Sequence, residues 1–121
     1  MQKRRMFSPD ITESDSFLSM SSSSQSLYFH LCMNSDDEGV VNNPKKIQKI
    51  IDCKDDDLEE LINKRFVISG FKSGVIVIKH WNINNSIRKD RATPSKYKKE
   101  LDTLGTDENG AYYQKDKKSV K

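Results

Sequence analysis

Two runs of β-branched and aromatic residues, Phe66-Val67-Ile68-Ser69-Gly70-Phe71 and Val75-Ile76-Val77-Ile78-Lys79-His80-Trp81, constrain this chain more than any other feature. β-Branched side chains are stiff at χ1 and fit a pleated surface, so both runs read as strands. Lys72-Ser73-Gly74 between them supplies a turn, which makes residues 66–81 a β-hairpin. The rest of the core must be built on a narrow supply. Hydrophobic residues are 34% of the 121 residues and charged residues are 32%. Most apolar side chains fall in segments 27–33, 47–51, 58–68 and 75–83. That amount suits one small domain that folds without staples.

Upstream of the hairpin the apolar period is helical. Residues 14–20 read as a short helix or turn around Phe17, Leu18 and Met20. The serines at 21–24 read as a helix start rather than a linker, because Leu27, Leu31 and Cys32 follow at helical spacing. This helix is expected over about residues 23–34 and ends at Asp36-Asp37-Glu38-Gly39. Val40-Val41 is extended but too short to stand alone as a strand. Asn43-Pro44 opens a second helix to Ile51, with Ile47, Ile50 and Ile51 inward and Lys45, Lys46 and Lys49 outward. An aspartate at 55 or 56 caps a third helix over about 56–64, with Leu58, Leu61 and Ile62 as its apolar face. The order helix, short strand, helix, helix, hairpin is that of an α+β winged helix: a helix-turn-helix core with a C-terminal β-hairpin wing.

Beyond the hairpin, Asn82–Thr93 is polar and basic. Pro94 opens a helix over Ser95–Leu104, with Tyr97, Leu101 and Leu104 in one stripe, and Gly105 ends it. Residues 106–121 lack an apolar period and are expected to be a disordered tail or linker. The chain thus divides into a basic N-terminal arm (1–13), the winged helix (14–92), a C-terminal helix (93–105) and a tail (106–121). Cys32 and Cys53 sit in no CxxC or Cys/His cluster and read as free thiols in a reducing cytoplasm. No run approaches a membrane span, and no apolar stretch follows the basic N-terminus.

Net charge is only +3, but its distribution is uneven. Residues 1–5 carry Lys3, Arg4 and Arg5 with no acid, residues 6–43 carry six acids with no Lys or Arg, and residues 82–121 carry ten basic residues against six acids. Clustered cations at both ends suit a phosphate-binding face, though solvated tails have the same pattern. Five carboxylates, Asp55, Asp56, Asp57, Glu59 and Glu60, crowd the start of the third helix. They oppose insertion of its N-terminal half into a groove, or they merely cap the helix. Contact by this helix would fall to Asn63, Lys64 and Arg65 at its end. The alternative is the second helix, through Lys45, Lys46, Gln48 and Lys49. The favoured segment is the exit from the hairpin, where Lys79, Arg88, Lys89 and Arg91 hold phosphates and Asn84 and Asn85 read adenine edges. Trp81 is expected in the core. Lys3-Arg4-Arg5 is either a groove-reaching arm or plain surface charge. No nucleophile–base pair, Walker loop or spaced metal-ligand set appears, so neither an enzyme nor a cofactor or metal site is expected.

Several stretches resemble a known family: KRRMFS (3–8), SSQSLYFHLCMNSDDEG (23–39), VNNPKKI (41–47), DLEELINKRFVI (57–68), SGVIVIKHWNINNSIRKDR (73–91) and LGTDENGAYY (104–113). They are similar to the N-terminal domain of phage replisome organisers, the DnaD-like replication initiation proteins of phages of Gram-positive bacteria. The resemblance spans nearly the whole chain. It implies a winged-helix domain that binds double-stranded replication-origin DNA in the cytoplasm of a bacterial host, and recruitment of the host helicase through its loader. Two departures stand out. Family members usually carry Pro-Leu before the SSQ, where this chain has Ser21-Ser22. The family also continues into a second, partner-binding domain that these 121 residues lack, which puts loader recruitment by this chain in doubt. The competing readings are a self-associating or partner-docking module, using the acidic helix or the Tyr97/Leu101/Leu104 stripe, and a winged-helix transcriptional repressor.

Overall fold

The Ser21 hydroxyl accepts the backbone N–H of Ser24 at 3.2 Å and so starts a helix where a serine linker was the alternative. The computed structural model describes residues 5–85 and 94–115. Two short helices precede this start, α1 (Pro9–Thr12) and α2 (Asp15–Leu18). Then come α3 (Ser22–Met33), β1 (Val40–Val41), α4 (Pro44–Ile50), α5 (Asp55–Asn63), β2 (Val67–Ile68) and β3 (Ile76–Ile78). The described part closes with α6 (Trp81–Asn84), α7 (Lys98–Asp102), β4 (Leu104–Thr106) and β5 (Tyr112–Gln114). The protein is therefore α+β, with two small antiparallel sheets among the described residues.

The larger sheet has the order β1-β3-β2. Val40 and Val41 pair with Val77 and Ile76, and Val67 and Ile68 pair with Ile78 and Val77. The valine pair that is too short to stand alone becomes a strand because β3 supplies its ladder. Ile76, Val77 and Ile78 are all buried, as a central strand covered on both faces requires. Leu27 and Leu31, one helical turn apart on α3, are fully buried in the core where α3 packs on α5 and α4. Around them Phe17, Tyr28, Phe29 and Phe66 meet edge-on, with ring centroids 5.3–5.9 Å apart, the arrangement that aromatic quadrupoles favour.

The loop between α3 and β1 ties distant parts together. Arg5 donates to Asp37 Oδ1 at 3.0 Å and to the Ser35 carbonyl at 2.8 Å, and its guanidinium lies 5.1 Å from the centre of the Trp81 ring. Trp81 Nε1 donates to the Asp37 carbonyl at 3.0 Å. Tyr112 Oη and the Ser95 N–H both donate to Glu38, each at 2.8 Å. Gly39 adopts φ +91°, and a Cβ there would meet Trp81 Cγ at 2.7 Å.

Several sequence expectations need correction. Both hairpin strands are shorter than residues 66–71 and 75–81, and Trp81 opens α6 instead of ending β3. Ile50 is 70% exposed, while Gln48 is buried. The inward arc of α4 runs through Pro44, Ile47, Gln48 and Ile51, at i, i+3, i+4 and i+7, and Ile50 falls off it. The C-terminal helix shrinks to Lys98–Asp102, with Leu104 moving into β4. Residues 106–115 are no structureless tail. Asp107 Oδ1 accepts the N–H groups of Asn109 and Ala111 to close a β4–β5 turn, and Leu104, Ala111 and Tyr112 are buried. Residues 5–13 are likewise no free arm: the N–H groups of Met6 and Ser8 donate to Asn85 and Asn84, both at 2.8 Å. An Asp57 carboxylate accepting the Lys54 N–H at 3.0 Å starts α5, with Lys54 in the cap position expected of an aspartate.

Gly39→Ala should lower the unfolding free energy by about 3 kcal/mol or more, because backbone strain and a clash with Trp81 add. Gly74→Ala, at φ +84° with nothing within 4 Å, should cost only about 1 kcal/mol. Urea unfolding of the two variants measures the difference, and equal losses would show that Trp81 moves aside freely.

Candidate nucleic-acid interface

Burying Pro44, Ile47 and Gln48 leaves Lys45, Lys46 and Lys49 exposed on the outer side of α4. Lys45 Nζ lies 3.1 Å from Asp55 Oδ1, but both side chains are largely in water, so the pair is weak and easily exchanged for a phosphate. At the far end of α5, Asn63, Lys64 and Arg65 are exposed. Arg65 adopts φ +67°, and the helix ends there as Phe66 N–H turns back to the Leu61 carbonyl. Lys64 Nζ rests on Ser19 Oγ at 3.0 Å. Lys72, exposed in the β2–β3 loop, is a cation absent from the sequence-derived candidates. The turn itself is legible in sequence, but a lone lysine in it has no charged neighbours to single it out.

The acidic face of α5 is partly committed to packing. Glu60 Oε1 accepts the Ser24 hydroxyl at 2.6 Å and the Ser21 N–H at 3.3 Å. Asp57 Oδ1 accepts the Ser23 hydroxyl at 2.8 Å. Asp55 Oδ1 accepts Gln48 Nε2 at 2.7 Å. These bonds favour the charged forms. The Ser24 hydroxyl leads in holding Glu60 below the usual carboxylate range. For Asp57, burial pushes upward, and the Lys54 N–H with the serine hydroxyls outweighs it. Gln48 and then Lys45 lower Asp55. Asp56 and Glu59 stay exposed. The start of α5 therefore keeps an outward negative charge that opposes a phosphate backbone.

Five sequence candidates turn out to hold the fold. Arg5 has only 2% of its side chain exposed, so it is no groove-reaching arm. Asn84 accepts from Ser8 and donates to Tyr28 Oη at 2.8 Å, and Asn85 accepts from Met6, so neither reads a base edge. Gln48 is buried against Asp55. Lys79 is half-buried, with Nζ on the Tyr112 carbonyl at 2.8 Å. Lys3, Arg4, Arg88, Lys89 and Arg91 lie outside the described residues. Trp81 is buried as expected. Cys32 and Cys53 are free thiols, and burial pushes Cys32 up to about 12, which makes it unreactive.

Among the described residues no three His, Cys, Asp or Glu side chains gather as metal ligands, and no helix is long and apolar enough to cross a membrane. No family model, no curated protein and no solved structure matches the chain.

His80 carries a pH dependence. Burial, then repulsion by Lys79, pulls its pKa below the ordinary 6.5, against an opposing pull from Asp107. Its Nδ1 is buried with no hydrogen-bond partner among the described residues. The unfolded chain therefore binds the proton first, and His80's contribution is complete above about 6.5 and lost as pH falls through the lower folded value. Urea midpoints at pH 7 and 5.5 should drop less in His80→Phe than in the parent. An unchanged difference would place the pH sensitivity elsewhere.

Proposed function

We propose that this protein is a winged-helix domain that binds duplex DNA, with α4 as its main contact. The observation that carries this reading is the trio Lys45, Lys46 and Lys49, exposed on the first helix of the α4–α5 pair. The order α3-β1-α4-α5-β2-β3, with β3 between β1 and β2, supports the winged-helix reading. In it, α4 and α5 form the helix-turn-helix pair and the β2–β3 loop is the wing. Exposed Asn63, Lys64 and Arg65 and the loop residue Lys72 add further phosphate donors. The carboxylates at the start of α5 make deep insertion of that end unfavourable. Binding on this surface is thus led by phosphate contact, with sequence preference from the few polar groups that reach base edges.

The resemblance to phage replisome organisers narrows the use of such binding to replication-origin DNA at the start of replisome assembly. Arg88, Lys89 and Arg91, with Lys3 and Arg4, are proposed as further phosphate contacts on sequence grounds.

Changing Lys45, Lys46 and Lys49 together to alanine should weaken duplex binding. It should also reduce the slope of log affinity against log salt by about 0.9 for each phosphate that a lysine no longer neutralises. Titration of origin-like and scrambled duplexes at several salt concentrations checks this. Unchanged affinity and slope would remove α4 from the interface.

A further inference from the structure

A cavity of about 290 Å³ lies between the loop that follows α3 and residues 94–97. Val40, Pro94 and Tyr97 give it carbon surface, while Asp36, Asn42 and Lys96 give it hydrogen-bonding groups. Its volume is at the small end for ligand sites, which start at roughly 300 Å³, so it suits one ring system and its substituent. Two of its groups are already held in place. Tyr97 N–H donates to Ser95 Oγ at 3.0 Å, Ser95 N–H donates to Glu38, and the half-buried Tyr97 packs against the core. Asp36 Oδ1 accepts the N–H groups of Glu38 at 2.9 Å and Val40 at 3.1 Å. Its other oxygen has no donor among the described residues, and neither Asn42 nor Lys96 has a side-chain partner there. The neighbouring Asp37 carboxylate is paired with Arg5.

Carbon surface joined to an acceptor-only carboxylate favours a flat molecule with apolar faces and a hydrogen-bond donor on its edge. A lysine at the rim favours an attached phosphate. We infer that this cavity binds one unpaired nucleobase bearing an exocyclic amino group: adenine, cytosine or guanine. The base stacks on Tyr97 and donates its amino hydrogen to Asp36, with its phosphate held by Lys96. Thymine has no amino group and offers Asp36 only its ring N3–H, flanked by two carbonyls that the carboxylate repels, so it binds less well. The inference takes its ligand class from the nucleic-acid reading above, but it uses none of the α4 residues.

The test is an NMR amide-shift titration of the full chain with dAMP, dCMP and dTMP, and with single-stranded oligo-dA. These arms separate a free nucleotide from an unpaired strand. Saturable shifts confined to residues 34–42 and 94–97 are expected with dAMP, dCMP and the oligonucleotide, and weaker ones with dTMP. Tyr97→Ala should weaken dAMP binding roughly five- to a hundred-fold, the range for loss of base–aromatic stacking, while Tyr97→Phe keeps it and controls for folding. Lys96→Ala should weaken dAMP but leave adenosine unchanged. Absence of saturable shifts at these residues, or equal binding of dTMP, would overturn the inference. Duplex affinity measured on the same variants tells the two failures apart. Duplex binding without nucleotide shifts removes only this cavity, and nucleotide shifts without duplex binding remove only the α4 interface.

Discussion

A guanidinium taken out of water costs several kcal/mol unless its donors meet acceptors and its charge meets an opposite charge. Arg5 meets these conditions with the Asp37 carboxylate, the Ser35 carbonyl and the face of Trp81. The same short loop accepts Trp81 Nε1, the Tyr112 hydroxyl and the Ser95 N–H. Five parts of the chain that are remote in sequence, the N-terminal strap around Arg5, the end of α3, α6, the segment at Ser95 and the β4–β5 hairpin, are thus held at one place. Gly39 belongs there because the backbone must pass Trp81 with no room for a side chain. Such a site is stable only as a whole. Removing one member of a buried ion pair strands the other, which costs about 3–5 kcal/mol.

This commitment redistributes the polar residues between structure and surface. Side chains that look like DNA readers in sequence, Arg5, Asn84 and Asn85, are consumed in holding the strap to α6. Carboxylates that look like a barrier to DNA are partly consumed as well, because Asp57 and Glu60 face the serines that begin α3. The α3–α5 seam is therefore a hydrogen-bonded edge on an apolar interior. Of the described candidates, α4's lysine trio and the end of α5 stay exposed on the surface, and Lys72 joins them.

The strongly periodic elements were legible in the sequence. Leu27, Leu31 and Cys32 specify α3, Asn43-Pro44 opens α4 within a residue, and the β-branched runs mark β2 and β3. Local pattern could not show which polar residues are buried, because that depends on partners far along the chain. Asn84 is buried because Ser8 and Tyr28 await it, 76 and 56 residues away. The β4–β5 hairpin escaped for a related reason: its strands are three residues long and its apolar members, Leu104 and Tyr112, are separated by a polar turn. Of the candidate site, the α4 lysines and the end of α5 were readable from helical geometry. Lys72 was obscured because a lone lysine in a Lys-Ser-Gly turn carries a turn signal and no cluster of charge.

Docking through α4 is tested most directly by footprinting lysine acetylation with and without bound duplex, read by mass spectrometry. Lys45, Lys46 and Lys49 are expected to lose reactivity when DNA is bound, while exposed Lys98 and Lys99 on α7 keep theirs. Undiminished reactivity of the α4 lysines in a chain saturated with duplex would contradict this interface.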